Sequence, residues 1–139
     1  MPRLTRWFVR AALVNLLVGL GLWLVPSAQP IVEVPGWMVA ATPAFLHLIT
    51  VGWLTQLIFG IGHWMFPKAS RDRPRGNERI MWLVFFALNL GLALRVLGEP
   101  LLAKQNGWLP GLVLVASASL QWLAVAGFVV NNWGRVKGR

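Results

Sequence analysis

The chain has 139 residues, 57% of them hydrophobic and 12% charged, with a mean hydropathy of +0.63, more apolar surface than a soluble domain of this size buries. Its formal net charge of +9 sits in three short basic clusters between long apolar runs, the pattern of a membrane protein, so lipid is the expected surrounding and no nucleic-acid partner is expected. The absence of cysteine excludes disulfides, iron–sulfur clusters, thiolate zinc sites and covalent c-type haem attachment, and the absence of tyrosine removes a phenolic proton donor.

A bilayer core of about 30 Å needs ~20 apolar residues in a helix. The first predicted span covers residues 7–25, with Arg10 near its start able to snorkel toward the headgroups. The second lies within 37–66; Pro43 divides an interfacial lead-in from the helix proper, which is placed at 43–66. The third runs over 80–97 and the fourth over 108–130, where Pro110 falls in the first turn and its missing N–H is harmless. The connections carry breakers: Pro26, Pro30, Pro35 and Gly36, then Pro67, Pro74 and Gly76, then Gly98, Pro100 and Gly107. The expected architecture is a single all-α membrane domain over 1–139, a bundle of four transmembrane helices.

Lys and Arg counts orient it. Arg3, Arg6 and Arg10 precede the first span. Lys68, Arg71, Arg73, Arg75 and Arg79 fill the second connection, and Arg135, Lys137 and Arg139 follow the fourth span. Eleven of the thirteen basic residues thus share one side, leaving Lys104 and Arg95. That side is expected to be cytoplasmic, with both termini on it, in a bacterial-type inner membrane. Tryptophans agree, with Trp7, Trp64, Trp82 and Trp133 forming one belt and Trp23, Trp37 and Trp108 the other. The first span resembles a signal peptide up to Pro26-Ser27-Ala28, but its apolar run exceeds the usual 7–15 residues and its cleavage site is poor, so it is read as a retained helix. The basic run at 68–79 is mainly the topology signal and is also suited to anionic headgroups.

Ionisable groups at membrane depth are costly, which makes each a functional candidate. The inventory is His47, His63 and Arg95, with the amides Asn15, Gln56, Asn89 and Gln121. With uniform α-helical geometry, His47 and His63 stand ~24 Å apart along one helix and point ~160° away from each other. They therefore cannot ligate one iron within one chain, since two axial imidazole nitrogens lie only ~4 Å apart. His47 reads either as a histidine bonded to a neighbouring helix or as an axial haem ligand. His63 reads as interfacial, or as part of a cuprous copper site with Met65 and Met81. Arg95 either snorkels or pairs with Glu99 one turn on, or clamps an anionic group such as a haem propionate.

The run Leu46-His47-Leu48, Val51-Gly52-Trp53, Gly60, His63-Trp64 and Pro67-Lys68 resembles the second helix of haem–copper oxidase large subunits, most closely the nitric-oxide reductase and C-family oxidase branches. The resemblance covers residues 46–68. It implies that His47 holds a low-spin b-type haem near the outer surface, that Trp64 falls in the family's aromatic pair, and that the helix runs from outside to inside. The family's large subunit has further helices, which carry the opposite haem ligand and the histidines of the catalytic metal centre. With two histidines in all, this chain cannot build that centre, and it looks like a short stand-alone relative.

The expectation is a non-enzymatic membrane protein that binds haem b through His47, with Arg95 on a propionate, for electron transfer or for binding NO or O2. No carboxylate lies inside a span and no nucleophile–base pair stands out. The second axial ligand would come from His47 of a two-fold-related copy, in a homodimer or a larger membrane complex. The alternatives are a cofactor-free accessory or structural subunit, and a small copper-handling protein using His63.

Overall fold

The computed structural model describes residues 1–71, 74–105 and 107–136. Asp72, Arg73, Lys137 and Arg139, which enter the reading of charge and topology, lie outside them. Four helices are long and apolar enough to cross a membrane, and no strand occurs among the described residues. They are α1 (Arg3–Ser27), α2 (Gly36–Met65), α3 (Glu78–Lys104) and α4 (Trp108–Asn132), the last extended by a 3-10 turn over Trp133–Arg135. The protein is thus an all-helical, multi-pass membrane protein.

The helices outrun the apolar stretches, because hydropathy marks contact with lipid whereas a helix ends where its hydrogen-bond ladder ends. Thus α1 begins at Arg3, four residues ahead of Trp7, and runs through Pro26 to Ser27, whose hydroxyl donates to Trp23 O at 2.9 Å. Helix α2 starts after Pro35 and breaks at Ala41, two residues ahead of Pro43. It is then π-helical over Leu48–Thr55 before resuming α geometry over Gln56–Met65.

The third connection is much shorter than its breakers predict, since α3 continues through Gly98 and Pro100 to Lys104. Proline forfeits its own N–H bond to the fourth residue back and crowds that carbonyl, which here, four residues from the end of α3, does not stop the helix. Gly98 is present for proximity: a Cβ there would lie 2.8 Å from Leu114 Cδ2 on α4. The Arg95–Glu99 ion pair, 2.9 Å across one turn, spans the same stretch.

Packing follows chain order, with α1 on α2, α2 on α3 and α3 on α4, each neighbour antiparallel. Without a hydrophobic driving force inside lipid, helices associate where small residues let backbones approach. A Cβ on Gly60 would sit 2.7 Å from Phe8 Cβ, and one on Gly52 2.9 Å from Asn15 Cβ, so these glycines seat α1 on α2. Gly91 plays the same part for α3 against Gln121 of α4. Between these seams lies one aromatic core: Phe59 stacks on Phe128 at 3.9 Å, and Phe8 meets Phe85 edge-on at 5.1 Å.

The antiparallel order gathers Arg3, Arg6, Arg10, Lys68, Arg71, Arg75, Arg79 and Arg135 at one end of the bundle. The other end holds the Arg95–Glu99 pair and Lys104, whose ammonium lies 4.1 Å over the Trp37 ring.

Gly60→Ala should lower stability by about 1–3 kcal/mol, the cost of overpacking a tight contact. Gly21→Ala, where nothing lies within 4 Å, should be neutral or slightly stabilising. Reversible unfolding in mixed detergent micelles measures both, and equal effects at the two positions would contradict the packing described.

Candidate functional site

The polar groups inside the bundle form three separate constellations, stacked from one end of the membrane helices to the other.

Nearest the Trp37 end is His47. It ends the α-helical segment Thr42–His47 and immediately precedes the π segment. Its neighbours Ala44, Phe45 and Leu48 are buried, while the imidazole lies half-exposed on the flank of α2. Its Nδ1 lies 2.8 Å from Pro43 O, one turn back on the same helix. A carbonyl can only accept, so Nδ1 carries the proton and Nε2 keeps a free lone pair directed away from the helix backbone. The histidine is therefore bonded to its own helix, and among the described residues no hydrogen bond joins it to a neighbouring one. Arg95 is engaged with Glu99 at 2.9 Å, and its Nε is buried without an acceptor. No hydrogen bond joins His47 to Arg95 among the described residues.

The π segment is the first feature that periodicity missed. Its i→i+5 turns are wider than α turns, and such segments recur at functional sites. Thr55 Oγ1 donates to Thr50 O, five residues back, at 3.0 Å, and Thr50 Oγ1 donates to Leu46 O at 2.9 Å. Two hydroxyls five apart in a run rich in β-branched residues were the available signal. The consequence is a correction to the angle between the histidines. The 160° separation assumed 100° per residue throughout, and eight residues between His47 and His63 do not turn at that rate. The axial separation still keeps the two imidazoles off one metal.

At mid-depth an amide chain links three helices. Asn15 of α1 donates through Nδ2 to Gly52 O at 3.2 Å and to Gln56 Oε1 at 3.3 Å. Gln56, wholly buried, donates through Nε2 to Asn89 Oδ1 at 3.4 Å, and Asn89 Nδ2 donates to Phe85 O at 2.8 Å. On the far side of α3, Ser117 donates to Gly91 O at 2.7 Å and Gln121 to Ser117 Oγ at 3.1 Å. Each of these contacts bridges packed helices or holds a bridging side chain, so the amides act as interhelical links in an apolar medium.

The basic end is organised by Arg135. This residue is only 2% exposed, although sequence position made it a flanking charge. Its Nη2 donates to His63 O at 3.0 Å and Phe66 O at 2.9 Å, its Nε to Pro67 O at 3.0 Å, and its Nη1 to Asn132 Oδ1 at 2.7 Å and Arg75 O at 3.5 Å. Three of these acceptors are carbonyls at the end of α2, where no further helical N–H exists to serve them. Asn131 does the complementary work for α3, its Oδ1 accepting from Asn77 N at 2.8 Å, while Asn77 Oδ1 accepts from Arg79 N at 3.0 Å as the N-cap. Gly76, at φ +75°, takes the left-handed turn that presents Asn77.

His63 belongs to this end and is packed inside the protein. It is fully buried, and among the described residues neither ring nitrogen has a hydrogen-bond partner; Thr5 Oγ1, also fully buried, has none there either. Of the trio His63, Met65 and Met81, Met65 is 70% exposed while the other two are fully buried. Met81 instead receives a contact on sulfur from Asn132 Nδ2 at 3.8 Å. Among the described residues no group of three His, Asp or Glu side chains is placed to hold a metal ion.

Arg135→Leu should destabilise the fold by at least about 3 kcal/mol, because it strands several buried carbonyls at once. Arg135→Lys should recover only part of that loss, since a single ammonium cannot reproduce the guanidinium fork. Thermal unfolding of the purified protein in detergent compares the two, and equal tolerance of both variants would remove Arg135 from this role.

No family model, curated protein or solved structure matches the chain.

Proposed function

We propose that this protein binds b-type haem through His47 at the Trp37 end of the bundle, with His47 of a two-fold-related copy on the opposite axial position. The observation that carries the reading is the Nδ1–Pro43 O contact of 2.8 Å. A metal-ligating imidazole characteristically donates its other N–H to a carbonyl or carboxylate, which fixes both tautomer and ring orientation. His47 is half-buried on α2, and a ligand shared across a dimer requires its Nε2 to be reachable from outside the protomer. The resemblance of residues 46–68 to the second helix of haem–copper oxidase large subunits supports the same residue.

The protomer fits the group in part. It offers one axial nitrogen, its second histidine being buried at the other end of α2. Arg95 is already committed to Glu99, so the proposal rests on His47 and gives Arg95 a propionate only if that ion pair opens. Bound haem supplies one-electron transfer when both axial positions are filled, or a place for NO or O2 when one stays open. The chain's own part is to hold the imidazole proton on Nδ1 and to keep the ligand in lipid-exposed apolar surroundings. The proposed topology puts the basic end in the cytoplasm of a bacterial-type inner membrane, supported by the collection of cations at that end.

A cofactor-free accessory role has one observation in its favour. Trp122, near the middle of α4, is 69% exposed on the outer face of that helix. Tryptophan ordinarily sits at the membrane interface, and at mid-span such a ring suits contact with another membrane protein.

Protein purified from haem-replete cells should show a Soret band that is lost in His47→Ala and retained in His63→Ala. Because the bond of His47 lies within its own helix, the Ala variant should remain folded by circular dichroism. Colourless wild-type protein would overturn the haem reading and leave the accessory role.

A further inference from the structure

The outer face of α1 carries a charged stripe that the haem reading does not use. At 100° per residue, Arg6, Arg10 and Trp7 stand about −60°, −20° and +40° from Arg3, so all four occupy one narrow arc. The residues that pack α1 into the bundle, Leu4, Thr5, Phe8 and Ala12, are buried and centred on the opposite side. The three guanidiniums therefore face away from the protein, and none has a carboxylate partner among the described residues. Together with Trp7 they line a recess of about 210 Å³.

Two properties of this stripe define its occupant. Depth is the first: Arg10 lies about 10 Å further along the helix than Arg3, inside the apolar stretch, where an unpaired cation is costly and an anion must come from the surroundings. The second is the apolar extension of the stripe. Leu13, Val14 and Leu17 carry the same arc toward the membrane centre and are 49%, 57% and 73% exposed. One face of one helix thus offers a cation cluster and, directly beyond it, a bare apolar track. That order matches an anion joined to hydrocarbon chains. A nucleic acid or an acidic peptide would match the cations and leave the track uncovered.

We propose that Arg3, Arg6 and Arg10, with Trp7, bind the phosphate of an anionic glycerolipid whose acyl chains lie along Leu13, Val14 and Leu17. Guanidinium forks match phosphate oxygens in pairs, and the indole of Trp7 sits at headgroup level. This site is distinct from the basic connection between α2 and α3 and does not depend on haem.

The test uses the full-length protein in phosphatidylcholine nanodiscs, with and without phosphatidylglycerol, and reads retained lipid by native mass spectrometry. The wild type should retain phosphatidylglycerol selectively. R6Q/R10Q should weaken that retention roughly thirtyfold, the effect of removing two interfacial cations. R6K/R10K, which keeps the charge but not the fork, should lose less than R6Q/R10Q and guards against a folding artefact. R71Q/R79Q, which changes the connection and the first turn of α3, should behave as wild type. Inorganic phosphate added alone should not displace the lipid. Unchanged retention in R6Q/R10Q, or equal loss in R71Q/R79Q, overturns the site. Displacement by phosphate alone overturns the lipid as occupant and leaves a simple anion site.

Discussion

The constraint on which this architecture turns is that every backbone carbonyl leaving a helix near the bilayer must find a donor. At the end of α2 that donor is one side chain, Arg135, contributed from the far end of the described chain. A guanidinium has five N–H groups in a fixed plane and no acceptor, so it can serve several carbonyls that a helix end leaves unserved. By bonding His63 O, Phe66 O and Pro67 O while holding Asn132 Oδ1, it ties the exit of α2 to the exit of α4. Asn131 then ties α4 to the start of α3. The basic end is closed by hydrogen bonds to backbone, and the glycine seams and aromatic stack set the helix spacing above it.

The amide chain at mid-depth works by the same rule in reverse. There the side chains themselves are the groups that need partners, and Asn15, Gln56 and Asn89 meet one another across three helices. Gly52 joins that chain in two ways, offering its carbonyl to Asn15 and omitting the Cβ that would collide with it. Polar links of this kind are worth little individually in a membrane, about 0.6 kcal/mol on average, but they are directional. They select one registry of α1, α2 and α3 from the many that small residues alone would allow. His63 breaks the pattern: its imidazole is buried with no partner for either nitrogen among the described residues.

The four spans could be read from hydropathy because a lipid solvent leaves a plain mark of about 20 apolar residues. The segregation of basic residues could be read for a related reason, since charge avoids the bilayer centre. What hydropathy cannot register is which N–H meets which carbonyl. Gly98 and Pro100 looked like a loop, yet the ladder of α3 passes through them. Arg135 looked like one more flanking charge, because nothing local distinguishes an arginine that turns back onto the bundle from one that faces water. His47 was legible as a candidate, and its pairing with Pro43 one turn back is a local relation. The loss of α geometry in the next eight residues was not legible, because a periodicity argument presupposes the period it would need to test.

That π segment gives the two halves of α2 a relative bearing that an unbroken α-helix would not give them. A continuous α-helix fixes the bearing of every side chain once one is known, so a change at one end is felt as rotation at the other. Here the bearing of the Trp37 half, with His47, and that of the basic half, with Phe59 and His63, are joined through a stretch that turns at a different rate. Such a stretch acts as a coupling that takes up phase. The half that fits the aromatic core and the half that carries the imidazole therefore stand at a relative bearing set by the wider turns between them.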